Sequence, residues 1–154
     1  IAVSTEDAVE LQLDELVRRA VERFGRRTGR TVGAELEPTA IVGRAGMLER
    51  AVSNLLENAH KWSPSDGVIE VSLTDGSLSV RDHGPGIAEE NFDMIFDPFF
   101  TTKQAGQGTG LGLSLAYNII QEHGGHISVD SQVDIGTEFV INLAKSIRLK
   151  DAYA

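Results

Sequence analysis

Residues 108–113 read Gly-Thr-Gly-Leu-Gly-Leu and lead into an apolar run, Leu115 to Ile120. Three glycines in five positions let a backbone approach a ligand with no Cβ in the way. A helix that starts there aims its free N–H groups and positive dipole end at whatever lies in front, most naturally a phosphate. Alone, the same run also suits a plain connector.

A second set of polar groups sits upstream. Over Glu49 to Trp62, at about 100° per residue, Asn54, Asn58 and Lys61 share one narrow stripe. It lies beside the apolar stripe of Val52, Leu55 and Ala59, while Glu49, Ser53 and His60 are expected to face solvent. An amide oxygen is a neutral, hard ligand for Mg²⁺, and a lysine is a point charge suited to phosphate. A solvated polar face would look similar, but two mid-helix asparagines are poor helix formers.

Asp82-His83-Gly84-Pro85-Gly86-Ile87 follows a strand pattern. The Asp can serve as a turn residue. Held in a pocket, its acceptor-only carboxylate would instead select a ligand bearing an amino group, such as adenine, over one with a carbonyl. Four of the six phenylalanines fall between Phe92 and Phe100. Around Pro98 they read as an anchor for the polar segment Thr101 to Gln107, which carries Lys103 and could close over phosphates. Gly136-Thr137-Glu138-Phe139 is a turn entering a strand and is unspecific by itself.

The elements that must hold these groups can be read from periodicity. Leu13, Leu16, Val17, Ala20, Val21 and Phe24 mark an amphipathic helix over 13–24, stopped at Gly25. Arg26 to Arg30 reads as solvated loop. Residues 31–37 alternate as a strand, and 40–42 form a second short apolar piece. Leu48 to Ala59 marks the second helix, ended by Ser63-Pro64. Val68 to Leu73 and Leu78-Val80 flank Asp75-Gly76 as a hairpin. Residues 83–110 form a long irregular stretch of the kind that is usually functional. A third helix spans 111–122 up to Gly124-Gly125, and strands at 127–133 and 138–143 close the pattern around Asp134-Ile135-Gly136. Consecutive hairpins with three helices predict an α+β two-layer sandwich: a mixed, mostly antiparallel sheet with the helices on one face.

The 154 residues suffice for one domain with a core, and no repeat or linker divides them. A net charge of -9 disfavours nucleic acid and anionic membrane as partners. The chain lacks cysteine, so it has no disulfide and no thiolate metal site. No apolar run approaches the length of a membrane span. The start at Ile1 suggests a piece of a longer protein, and without a long heptad pattern the piece is expected to be monomeric.

At this point the chain resembles the catalytic, ATP-binding domain of bacterial sensor histidine kinases, in the GHKL (Bergerat) superfamily. Asn54 to Ser63 resembles the N box of that family and Asp82 to Gly86 its first glycine box. Phe96 to Phe99 resembles the F box, Gly108 to Leu113 the second glycine box, and Gly136-Thr137-x-Phe139 the last. Order and spacing match over roughly residues 11–144. The resemblance implies a Bergerat fold that binds ATP and Mg²⁺ and donates the γ-phosphoryl group to a histidine. Asn58 would supply the metal ligand, with Asn54 nearby; Asn54 and Lys61 would take the catalytic part, Lys61 reaching the phosphates. Asp82 would accept from the adenine amino group with the support of Thr137. Trp62, Gly84, Gly86, Ile87 and Phe99 would complete the nucleotide site. Lys103, Gly108, Thr109, Gly110, Leu111, Gly112 and Leu113 would surround the phosphates.

Trp62 stands where the family usually has Tyr, and Asp134 where it has Gly. None of His60, His83, His123 and His126 has the context of a phosphoacceptor, and His123 reads as structural. The resemblance therefore implies a partner domain for dimerisation and phosphoacceptance, a response regulator downstream, a cytoplasmic setting, and a dimeric, membrane-anchored parent. Three alternatives stand beside it. A gyrase- or chaperone-type ATPase would want Glu at position 54 to activate water. An anti-sigma-type serine kinase shares the boxes. A degenerate module would only bind nucleotide.

Overall fold

A computed structural model describes residues 7–64, 66–97 and 112–146. Its strands are β1 (Val9–Gln12), β2 (Val32–Leu36), β3 (Ala40–Gly43), β4 (Ile69–Thr74), β5 (Ser77–Asp82), β6 (His126–Gln132) and β7 (Gly136–Asn142). Its helices are α1 (Leu13–Thr28), α2 (Ala45–Trp62) and α3 (Gly112–Glu122), with a 3-10 turn at Glu89–Asn91.

Five strands form the main sheet in the order β2-β4-β5-β7-β6, and β1 pairs with β3 in a separate ribbon. Only β2–β4 is parallel; β4–β5, β5–β7 and β6–β7 are antiparallel. A parallel pair cannot be joined by a tight turn and needs a crossover. Here that crossover includes α2, so the helix bearing Asn54, Asn58 and Lys61 is laid across the sheet by topology.

Alternation fixes which face is covered. Ile69, Val71 and Leu73 of β4, Leu78 and Val80 of β5, and Phe139 and Ile141 of β7 are buried. They meet Leu16, Val17, Ala20 and Phe24 of α1, Leu48, Val52, Leu55 and Leu56 of α2, and Ala116, Ile119 and Ile120 of α3 in one core. Each large aliphatic side chain so buried contributes on the order of 1.5–3 kcal/mol. The opposite face carries Glu70, Ser72, Ser79 and Arg81, none of them buried. This is the expected two-layer α+β arrangement with three helices on one face.

Several boundaries differ from the periodicity reading, for physical reasons. α1 runs through Gly25 and ends at Gly29, whose left-handed φ of 72° lets its N–H reach Gly25 O at 2.8 Å. Residues 26–28 are therefore helix, not solvated loop. α2 begins at Ala45, four residues before Glu49, and has no side-chain cap at Arg44. The Arg44 N–H is instead taken by His123 Nε2 at 3.0 Å, while His123 Nδ1 bonds Ile119 O at 2.7 Å. His123 thus ties the end of α3 to the start of α2, the structural role its sequence context suggested. β1 has no counterpart in the sequence reading, because it is made by pairing with the distant β3.

Candidate functional site

The period of two along β5 brings Asp82 to the same face as Leu78 and Val80, so a carboxylate ends a row of core positions and is only 3% exposed. A charge there has lost most of its water. Burial pushes the Asp82 carboxyl above the usual range; bonds from the backbone N–H groups of Gly84 and Thr137, and more distantly His83 and Arg30, pull the other way. Asp82 Oδ1 accepts from the Gly84 N–H at 2.9 Å.

The loop that follows is held by backbone on both sides. A Cβ on Gly84 would meet Trp62 O at 2.7 Å, and one on Gly86, at φ 79°, would meet Gln132 O at 2.2 Å. The protein's own backbone is therefore enough to require both glycines. Pro85 O accepts from the Asp134 N–H at 2.7 Å. Asp134 itself takes the left-handed conformation, φ 67°, that a glycine would ordinarily supply. The missing glycine at that position thus leaves a left-handed turn, made here by a residue that tolerates it.

Thr137 pairs in register with Asp82 and is buried. Its hydroxyl shares a 2.8 Å hydrogen bond with Ser131 Oγ. Ser131 Oγ also donates to Gly136 O at 2.9 Å and accepts from the Ile87 N–H at 2.7 Å. Ser131 therefore joins Thr137 to the loop carrying Asp82. Its position on β6 offered no chemical pattern by which to find it.

On α2, Asn54 and Asn58 are half-buried along the flank of the core stripe, and Lys61 is exposed. Asn54 Nδ2 is fully buried and has no hydrogen-bond partner among the described residues. Gly112, the first described residue of α3, lies beside it: a Cβ there would meet Asn54 Cβ at 4.0 Å. Leu113 packs at the edge of the core. Glu49 and Glu57 lie on the outer flank, paired with Arg23 and Arg27. His60 does not face solvent as expected. It is half-buried, meets the Phe24 ring edge-on at 5.6 Å between centroids, and accepts from Arg30 Nε at 2.9 Å.

Ahead of Pro98, Ile95 is the buried anchor. Phe96 stacks on Tyr117 at 5.3 Å and meets Phe139 edge-on at 6.1 Å. Phe99, Lys103, Gly108, Thr109, Gly110 and Leu111, and with them the proposed lid, lie outside the described residues. Within the described residues the Asp82–Gly86 loop meets Trp62, at the end of α2, through Gly84; Asn54, Asn58 and Lys61 lie on that same helix. No group of three or more His, Asp or Glu side chains that could hold a metal ion occurs among the described residues. No helix there is long and apolar enough to cross a membrane.

Comparison with known proteins meets this geometry. The family described as "Histidine kinase-, DNA gyrase B-, and HSP90-like ATPase" matches residues 43–147. The signal transduction histidine-protein kinase/phosphatase MprB of Mycolicibacterium vanbaalenii is 36% identical over 135 residues, 82% of this chain and 28% of that protein. The sensor histidine kinase ZraS of Escherichia coli is 42% identical over 108 residues, 68% of this chain and 23% of that protein. The chain thus spans about a quarter of the length of these relatives. Among solved structures, the mycobacterial sensor histidine kinase MprB superposes with a TM-score of 0.81 at 30% identity, covering 92% of this chain and 99% of that one. The catalytic domain of histidine kinase ThkA, in a nucleotide-free form, gives 0.76 at 32% identity, covering 90% and 96%.

Proposed function

Because the chain belongs to the histidine kinase-, DNA gyrase B- and HSP90-like ATPase family, as an ATP-binding catalytic domain of the sensor histidine kinase type, we propose that it transfers the γ-phosphoryl group of ATP to a histidine on a dimerisation domain of its parent kinase. A response regulator would then receive the group. The domain would work in the cytoplasm, with the parent protein dimeric and anchored in the membrane.

The observation that carries the reading is buried Asp82, whose loop meets the end of the helix that bears Asn54, Asn58 and Lys61. Asp82 ends β5 on the core face, and its loop touches the end of α2 through Gly84 and Trp62. A buried acceptor-only carboxylate suits the amino group of adenine and opposes the carbonyl of guanine. Thr137 and Ser131 hold the adjoining backbone, and Trp62 supplies an aromatic surface beside it. One turn and more along α2, the amides would face the phosphates, and Asn54 Nδ2, unpartnered among the described residues, is a donor suited to a phosphate oxygen.

The donor set fits Mg²⁺ in a particular way. With no carboxylate cluster among the described residues, a bound ion would take one amide oxygen, from Asn58, and most of its shell from phosphate and water. When bound, it would neutralise phosphate charge. Lys61 adds a cation at the same end of the helix. The protein's part is then positioning and electrostatic stabilisation. Asn54 bears an amide where a water-activating carboxylate would be needed for hydrolysis, which favours transfer over an ATPase reaction. Phe99, Lys103 and the glycine run from Gly108 to Gly112, with Thr109, Leu111 and Leu113, belong to the proposed site on sequence grounds.

The test is phosphorylation of the separately supplied dimerisation domain by this chain with labelled ATP and Mg²⁺. Acid-labile label on the histidine is expected. Nucleotide binding with no transfer would make it a binding module, and release of inorganic phosphate without the acceptor would make it an ATPase.

A further inference from the structure

We infer that Arg30 is a positioning residue for the nucleotide site, acting by fixing the end of α2. The inference rests on the proposed placement of Trp62 and Asp82 beside the nucleotide. Arg30 lies outside residues 43–147, which the family match spans, and from composition it reads as a solvated loop cation.

A guanidinium has five N–H donors, and all five are engaged. Nε donates to His60 Nδ1 at 2.9 Å. Nη1 donates to Pro64 O at 2.7 Å and Gly67 O at 2.8 Å. Nη2 donates to His60 O at 3.3 Å and Ser63 O at 3.4 Å. The last carbonyls of a helix have no partners inside it, and its C-terminal end is the negative end of the dipole. α2 stops at Ser63 in extended conformation, directly before Pro64. Arg30 meets that end with a planar cation that satisfies carbonyls of both the helix and the following turn. It is aimed there by the left-handed Gly29 and by the bond from its own N–H to Thr28 Oγ1 at 3.2 Å.

The other side of the same helix end is pressed by the nucleotide loop. Gly84 sits against Trp62 O with no room for a Cβ, and the His83 N–H reaches Ser63 Oγ at 3.4 Å. The terminus of α2 is therefore gripped between Arg30 and the 82–84 backbone. Loss of Arg30 would release five acceptors at once and let the last turn of α2 move. Trp62 would move with it, and so would the contact that seats the Asp82 loop.

Trp62 is the only tryptophan in the chain, so its fluorescence reports this helix end directly. In Arg30→Ala, Trp62 should become more accessible to acrylamide without any nucleotide. ADP affinity should fall about tenfold or more, on the scale of lost outer-shell support. With the dimerisation domain supplied, KM for ATP should rise by a similar factor while kcat changes less. Added methylguanidinium should restore part of both the quenching protection and the affinity. Arg30→Lys keeps the charge and loses the planar fork, so it should fall between wild type and Arg30→Ala; it also serves if Arg30→Ala does not fold. Folded variants with a lower Tm but wild-type quenching and wild-type ADP affinity would overturn the inference. Failure of the wild type to bind ADP would instead strike the proposed function, since the quenching arm needs no nucleotide.

Discussion

The two flanks of α2 treat polar side chains in opposite ways. On the flank toward α1, Glu49 and Glu57 are paired with Arg23 and Arg27 in the open, each partner more than a third exposed. Toward α3 and β5, Asn54 buries an amide nitrogen with no partner among the described residues, and Asp82 buries a carboxylate that accepts from backbone N–H groups. Folding alone would favour the reverse, since paired surface charges cost little and under-satisfied buried ones cost much. The stable flank is therefore cheap and generic. The costly flank is the one to which the proposed function assigns the nucleotide.

If that contrast is right, its inner side should be fragile in function and its outer side nearly indifferent. The largest effect should come from Asn58→Ala. Phosphotransfer to the dimerisation domain should fall by on the order of a hundredfold or more, as when one positioned polar group is taken from a transition state. Some Mg²⁺-independent nucleotide binding should survive. Nucleotide binding that remained as Mg²⁺-dependent as in the wild type would remove Asn58 from the metal.

Next comes Asp82→Asn, which should weaken ATP binding by about 2–3 kcal/mol, the scale of a buried charged hydrogen bond. By calorimetry it should also narrow the preference for ATP over GTP. The same change should raise Tm, because an amide relieves the cost of the buried charge and can still accept from Gly84. A lowered Tm together with unchanged ATP affinity would show Asp82 to be a structural turn residue.

The pH dependence sharpens this further. Burial raises the Asp82 pKa above that of the unfolded chain. Protonation at Asp82 therefore favours the fold below the ordinary carboxylate range, and that contribution is lost as pH rises through the raised folded value. Nucleotide affinity should run the other way, falling with pH through the same raised value, and Asp82→Asn should flatten both curves. His60 gives a smaller effect of opposite sign. Burial first, then Arg30 and Arg27, lower its pKa from 6.5. Its neutral ring contributes stability above the unfolded value, and that contribution is lost as pH falls through the folded one. His60→Gln should remove that part of the acid limb of a Tm–pH curve, and an unchanged limb would put His60 outside the Arg30 cluster.

The smallest effect belongs to the outer flank. A double-mutant cycle on Arg23→Ala and Glu49→Ala should give a coupling below about 0.5 kcal/mol, with ATP affinity unchanged. A coupling several times larger would erase the contrast between the flanks.

How much of this could be read from the chain follows from the range of the forces involved. The apolar stripes of all three helices and the alternation of β4, β5 and β7 are local, and they appear in the sequence much as they do in space. The stripe of Asn54, Asn58 and Lys61 was legible for the same reason. β1 was not, since four partly exposed residues become a strand only on meeting β3. The start of α2 was misplaced because its capping partner, His123, comes from the far end of α3. Arg30 and Ser131 did not stand out in the sequence, for most of their partners are backbone atoms whose neighbours sequence spacing does not reveal. The glycines at 84 and 86 were found by composition, but the contacts that require them, Trp62 O and Gln132 O, are tertiary.

The parallel strand β2 has a consequence unrelated to nucleotide. It lies along β4, whose inward Val71 and Leu73 would otherwise sit in an outermost strand able to pair with another copy of the chain. β2 is a poor template in turn: it is five residues long, holds Gly33 and an exposed Glu35, and is followed closely by Pro38. A strand that completes the crossover thus also ends the sheet on that side, with an edge poorly suited to pairing with another copy.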